Sequence, residues 1–150
     1  MMPPMGSSKR HPSVDQAYQT RRDGDRRGAL TLYLEAAVEL ADSDVVAAAS
    51  ALRHVADLHE ELGESDQALR HYKDAWRLYL TLNPTPDLDL ANCRRPMALW
   101  EERHGSPFTA LILWREARTC YEKAAVTTAY DLQAAFDECD RHIATLSSGN

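Results

Sequence analysis

A fixed spacing of small and aromatic residues around three glycines constrains the fold more than any other feature of this sequence. An alanine follows each glycine after five residues, an aromatic residue after nine and a second alanine after twelve, and another alanine precedes it by seven. The three sets are Ala17, Gly24, Ala29, Tyr33, Ala36; Ala56, Gly63, Ala68, Tyr72, Ala75; and Ala98, Gly105, Ala110, Trp114, Ala117. The glycines are 39 and 42 residues apart (63 − 24 and 105 − 63). Repeats of about 20–50 residues are typical of stacked structural units.

The composition favours helices in every unit. Alanine is abundant, β-branched residues are sparse, and glycine and proline fall mostly at breaks in the apolar pattern. Each unit is therefore predicted to be a pair of antiparallel helices joined at the glycine, with Gly63 after a helix C-terminus, where glycine tolerates a positive φ. Alanines at a helix crossing let the backbones approach to about 8–9 Å, and the aromatic residue fills the space between hairpins.

Apolar periodicity and capping signals predict the limits of these hairpins. We expect hairpins over residues 13–42, 44–84 and 86–124, a last helix over 128–146, a disordered lead-in over 1–12 and a frayed tail over 147–150. The predicted helix starts are Ser13 or Pro12, Asp25, Ser65, Thr85 with Pro86, Ser106 with Pro107, and Thr128 with Asp131. Pro96 predicts a kink near residues 92–96 or a split into two shorter helices.

The repeat resembles the tetratricopeptide repeat over about residues 13–124, with the small, glycine and aromatic positions in the same order. Its period is similar to that of the longer-helix bacterial variants. His59 stands where the family usually has an aromatic residue, and Arg94 and Pro96 depart from the pattern in the third unit. The resemblance implies an all-α, right-handed solenoid of three hairpins, with helix 128–146 capping the last one. A generic helical bundle is the alternative.

Charge and cysteine usage narrow the expected partners and compartment. The net charge of −6 argues against nucleic acid and an anionic membrane as partners. No run approaches the roughly 18 apolar residues of a membrane span, and the N-terminus has no secretory signal pattern. Three widely spaced cysteines, without a CxxC pair, fit a cytoplasmic protein rather than a disulfide framework.

Few residues suggest chemistry. His59, Glu60 and Glu61 begin like the HExxH zinc motif, but position 63 is glycine where the second histidine would stand. A metal site at His54, His59 and His71 remains an alternative to surface or half-buried histidines. Cys93 precedes Arg94 and Arg95, whose charges would lower a thiol pKa, so a reactive thiol there is an alternative to a plain helix cysteine. We predict no enzyme activity, no metal and no cofactor.

The resemblance implies a binding groove lined by the first helix of each hairpin. The candidates by register are Tyr18, Arg21, Ser50, Arg53, Asp57, Glu60, Asn92, Arg95, Leu99 and Glu102. Arg53 and Arg95 are candidates to pair with an acidic ligand group, and the alternative is that they are ordinary helix-surface arginines. The Lys and Asn clamp of chaperone-binding members is absent, because the corresponding positions hold Val14, Tyr18, Arg53, Asp57 and Arg95.

Two functions follow as expectations. The first is a protein-binding adaptor that receives a peptide or partner helix in this groove. The second is self-association, as a homodimer involving Tyr130 and Phe136 or as a relative of a repeat tail in a larger regulator.

Overall fold

A computed structural model describes residues 11–148, and this part of the chain is all-helical. It contains seven helices and no strand: α1 (Pro12–Arg22), α2 (Arg26–Leu40), α3 (Val45–Glu61), α4 (Ser65–Leu80), α5 (Asp87–His104), α6 (Pro107–Ala125) and α7 (Gln133–Ser148). The main packing contacts of each helix are with the helices before and after it in the chain. The architecture is therefore a sequential stack. None of the described helices is both long and apolar enough to cross a membrane.

The repeated alanine and aromatic positions form much of the core. All twelve are buried, and the nine alanines have no exposed surface. Tyr33 packs in a cluster between α1, α2 and α3, whereas Tyr72 and Trp114 share a cluster that extends from α3 to α7. A third cluster joins α3, α4 and α5 around Tyr79. The spacing found in the sequence is thus a spacing of buried positions.

The three glycines differ in backbone conformation. Gly24 and Gly63 have φ angles of +92° and +78°, in the left-handed region that favours glycine. The positive φ predicted at Gly63 is confirmed. Gly105 instead has a φ of −123°, and a Cβ atom there would lie 1.9 Å from a carboxylate oxygen of Glu101. The third turn therefore follows a different path.

Three of the six predicted helix starts are confirmed and three are wrong. Asp25 accepts a hydrogen bond from the Gly28 N–H at 2.8 Å, and Ser106 Oγ accepts one from the Thr109 N–H at 3.3 Å. Helix α1 begins at Pro12, one of its two predicted starts, with His11 as N-cap and Ser13 inside the helix. Two other starts are wrong, because Ser65 is the first residue of α4 after Glu64, and Thr85 precedes Pro86, itself the N-cap of α5. None of these three N-cap residues makes a side-chain capping bond.

The last helix begins at Gln133 rather than at Thr128. Thr128 Oγ1 accepts from the Tyr130 N–H at 3.2 Å, and Asp131 Oδ1 accepts from the Gln133 N–H at 2.9 Å. Such local side-chain bonds compete with helix formation, which explains the later start.

The structure also differs from the predicted helix limits at both ends of the chain and at Pro96. The predicted lead-in 1–12 falls outside the described residues except for 11 and 12, and Pro12 is already helical. Of the predicted tail 147–150, residues 147 and 148 belong to α7 and the last two lie outside the described range. Helix α5 runs unbroken through Pro96, so the predicted split into two helices is wrong.

Candidate functional site

The ten candidate residues are all half-buried, and none belongs to the fully buried core. On α5, the spacing of Asn92, Arg95, Leu99 and Glu102 by three and four residues places them along one face of the helix. Because these side chains are partly accessible and lie on one face, a ligand can contact them without a change in the helices.

Two adjoining cavities bring four of the candidates together. A cavity of about 530 Å³ is lined from α5, α6 and α7 and includes Asn92 and Arg95. A smaller one of about 200 Å³ is lined from α3, α4 and α5 and includes Glu60, Arg95 and Leu99. Arg95 lines both cavities. We call this surface the α3–α5–α7 face.

Arg95 is held by Glu138 of α7. Its Nε donates to Glu138 Oε1, and its Nη2 donates to Oε2 at 2.8 Å. The hydrogen bond with Glu138 raises the pKa of Arg95, and the same bond lowers the pKa of Glu138. A guanidinium has five N–H donors, and no other acceptor in residues 11–148 takes the remaining ones. Arg95 is therefore oriented and retains donors for a ligand.

Asn92 on this face and Glu102, which lines neither cavity, each have partners of their own. The Asn92 side-chain oxygen accepts from the Tyr121 hydroxyl at 3.2 Å, and its amide N–H groups have no acceptor within residues 11–148. Glu102 accepts from Trp114 Nε1 at 2.8 Å and lies 3.0 Å or less from Nδ1 of His142. Because Trp114 is fully buried, Glu102 connects α5 with the core of α6 and with α7.

Arg53 and Asp57 form a polar cluster on α3. Arg53 lies 3.6 Å from Asp57, and Asp57 also accepts a hydrogen bond from the Tyr72 hydroxyl. Burial acts to lower the pKa of Arg53, but the charges of Asp57 and the nearby Tyr79 leave it raised. Arg53 Nε is buried and has no hydrogen-bond partner among residues 11–148. Tyr72 lines the smaller cavity, so this cluster is connected to the α3–α5–α7 face.

The first-unit candidates and Ser50 line neither cavity. Arg21 donates from Nη2 to Glu61, and its Nη1 lies 3.4 Å from His54. The Arg22 guanidinium lies 5.9 Å from the centre of the Tyr18 ring. The structure thus brings together Glu60, Asn92, Arg95 and Leu99, with Arg53 and Asp57 adjacent.

The sequence did not identify the contribution of α7. Glu138 and Arg141 line the larger cavity, and Glu138 is 43 residues from the arginine it holds. No local pattern indicates a contact at that separation. Trp100 also lines the smaller cavity and follows the predicted Leu99 in the sequence. An aromatic residue next to a predicted groove residue could have identified it as a further candidate.

The structure disfavours both chemical alternatives, a reactive thiol at Cys93 and a metal site at the histidines of α3 and α4. Cys93 is fully buried, and burial raises its pKa to about 12, so the predicted lowering by neighbouring arginines is wrong. His59 and His71 stack with ring centres 5.3 Å apart. Within residues 11–148, no group of three His, Cys, Asp or Glu side chains is placed to hold a metal ion.

No known family model matches this sequence, and no curated protein shows significant similarity to it.

Proposed function

We propose that the chain is a non-enzymatic adaptor of the tetratricopeptide-like solenoid type, acting in the cytoplasm, that binds a peptide or partner helix on the α3–α5–α7 face. One observation carries the proposal. Four residues selected by register, Glu60, Asn92, Arg95 and Leu99, line two adjoining cavities that share Arg95.

The chemistry of this face favours a ligand with an acidic group next to an apolar one. Arg95 supplies oriented N–H donors, which suit a carboxylate or a main-chain carbonyl. The smaller cavity offers Leu99, Trp100 and the ring of Tyr72 to an apolar side chain. Glu60 lies 3.8 Å from Arg103, so it is partly neutralised and repels an acidic ligand less than an unpaired carboxylate would.

The test compares affinity capture from a native lysate with wild type and with Arg53→Glu combined with Arg95→Glu. The matched control is Arg70→Glu with Arg77→Glu, an equal charge change at exposed positions of α4 that line neither cavity. Thermal melts verify that all three proteins are folded. We expect the first pair to lose partners that the control retains. If every native partner survives the first pair, the assignment of this face is wrong.

Self-association is the second candidate function, and exposed apolar residues near the C-terminus favour it. Val126 and Tyr130 are 84% and 74% exposed between α6 and α7. Phe136 is less suited to this role, because it packs against the core and has Arg118 5.2 Å from its ring centre. Light scattering across protein concentrations, on wild type and on Val126→Ser with Tyr130→Ser, tests this candidate. A wild-type protein that stays monomeric at high concentration excludes it.

A further inference from the structure

A separate, mostly apolar cleft of about 500 Å³ lies between α4, α5 and α6. Leu90 of α5 lines this cleft, and Leu99 lines the α3–α5–α7 face. The two leucines are nine residues apart, which is two and a half turns of an α-helix, so they project from opposite sides of α5. We call this second surface the outer cleft. It is independent of the proposed adaptor face.

The rim of the outer cleft exposes large apolar side chains. Leu80 of α4 is 44% exposed and Ile112 of α6 is 40% exposed, and both line the cleft with Trp76. Phe108, one turn before Ile112 on α6, is 72% exposed. An apolar concave surface with exposed anchors of this kind is typical of sites that receive a partner side chain.

The floor of the cleft is electrically balanced. The Arg94 guanidinium lies 3.9 Å from the centre of the Trp76 ring and 3.0 Å from the carboxylate of Glu116. Stacking and ion pairing therefore hold Arg94 in place, and Glu116 neutralises it. Burial lowers the pKa of Arg94, and the charge of Glu116 opposes this effect.

The edge of the cleft carries unpaired positive charge. Arg115 and Lys123 of α6 are exposed and have no acidic partner within residues 11–148. The lining includes three cations and two carboxylates (Arg94, Arg115, Lys123; Asp87, Glu116), a balance of +1 in a chain of net charge −6. Because Arg115 and Lys123 are eight residues apart, they are separated along α6 by about 12 Å.

We propose that the outer cleft docks an acidic amphipathic helix of a partner protein. A bulky apolar side chain of that helix enters between Trp76, Leu80 and Ile112. Two carboxylates about two turns apart on the same helix pair with Arg115 and Lys123, because two turns of helix cover about the separation of these cations. The positive edge thereby selects an acidic helix over a neutral or basic one.

The probe for this proposal is a synthetic, fluorescently labelled helical peptide with leucines along one face and two glutamates about two turns apart beside them. Two matched peptides replace the glutamates by glutamine or the leucines by serine. We expect wild type to bind the first peptide about tenfold more tightly than the glutamine version, since two exposed ion pairs supply a difference of this order. High salt should reduce this preference.

Variants of the protein locate the binding. Arg115→Glu with Lys123→Glu should remove the preference for glutamate, whereas the control Arg22→Glu with Arg70→Glu, at exposed positions outside the cleft, should retain it. In two-dimensional amide NMR spectra, the peptide should shift the Trp76 indole and the Ile112 amide and leave the Asn92 and Leu99 amides in place.

Four outcomes overturn the proposal. They are no measurable binding of the acidic leucine peptide, equal binding of its glutamine version, shifts on the α3–α5–α7 face instead of the outer cleft, and a dimer of this chain that Arg115→Glu with Lys123→Glu dissociates. The last would make a second copy of the chain the occupant. Failure here leaves the adaptor proposal intact, because the two experiments change different residues: Arg53 of α3 and Arg95 of α5 in one, Arg115 and Lys123 of α6 in the other.

Discussion

Arg95 of α5 and Glu138 of α7 form a two-point ion pair, with Nε bonded to Oε1 and Nη2 bonded to Oε2 at 2.8 Å. This geometry restricts the guanidinium to one orientation. It also makes the C-terminal helix part of the candidate binding face, since Glu138 and Arg95 both line the larger cavity. Helix α7 is therefore more than a cover for the last hairpin.

The first prediction concerns the stability that this pair contributes. We expect Glu138→Gln to lower the free energy of unfolding by about 0.5–1 kcal/mol at neutral pH, a modest value because solvent screens the half-exposed Arg95. Urea denaturation measures the difference. The control is Asp137→Asn, which changes an exposed neighbour bonded within α7 to Gln133.

The same pair predicts a pH dependence. Arg95 lowers the pKa of Glu138 below its ordinary value of 4.5, so the folded state holds this carboxylate ionised more readily than the unfolded chain does. The stabilisation is present above pH 4.5 and is lost as the pH falls through the folded pKa. The difference between wild type and Glu138→Gln should shrink at acidic pH. Additive effects of Arg95→Gln and Glu138→Gln would contradict the pairing.

The second prediction concerns His71. Burial lowers the pKa of His71, and the nearby His59 lowers it further, against an opposing effect of Asp74. His71 therefore binds a proton more readily in the unfolded chain than in the folded protein. As a result, the free energy of unfolding should fall as the pH drops below about 6.5. His71→Gln should make denaturation less sensitive to pH between neutral and mildly acidic conditions. An NMR titration of the ring at or above 6.5 would show that this account is wrong.

The third prediction separates backbone conformation from packing at the α3–α4 turn. Gly63 has a φ of +78°, and a Cβ atom there would meet no atom of residues 11–148 within 4 Å, apart from those of its chain neighbours. Gly63→Ala should therefore cost about 1–2 kcal/mol through the left-handed backbone alone. Gly63→Asn should cost less, because asparagine tolerates this conformation better. Thermal or urea unfolding of both variants gives the comparison, and an equal cost for the two would point to a cause other than φ.

Features that depend on residues close together in the sequence could be predicted, and features that depend on contacts between distant helices could not. The alanine and aromatic positions were predictable because helix crossings demand small residues at regular intervals, and all twelve are buried. The start of α7 could not be predicted in this way. Asp131 accepts a hydrogen bond from Gln133 in a local turn, and in the sequence this turn resembles the first turn of a helix. The contact between Arg95 and Glu138 depends on how distant helices stack, which no local spacing encodes.

The outer cleft was missed for a related reason. Trp76 follows a core alanine of the repeat and has the sequence character of a packing residue. Only the structure places Arg94 over its ring and leaves Leu80 and Ile112 exposed at the rim. An apolar residue at helical spacing does not reveal whether the neighbouring helices close over it.

The fourth prediction ranks the three thiols by reactivity. Cys93 and Cys139 are fully buried, and burial raises their pKa values to about 12 and about 11, whereas Cys120 is half-buried. The thiolate is the reactive form, so near pH 8 the ionised fraction of Cys93 should be lower than that of a free thiol by about three orders of magnitude. We expect an aromatic disulfide reagent to modify Cys120 first and the other two only on unfolding, with Cys120→Ser removing the early phase. Mass spectrometry identifies the modified residue, and early labelling of Cys93 would contradict its position beneath α3 and α4.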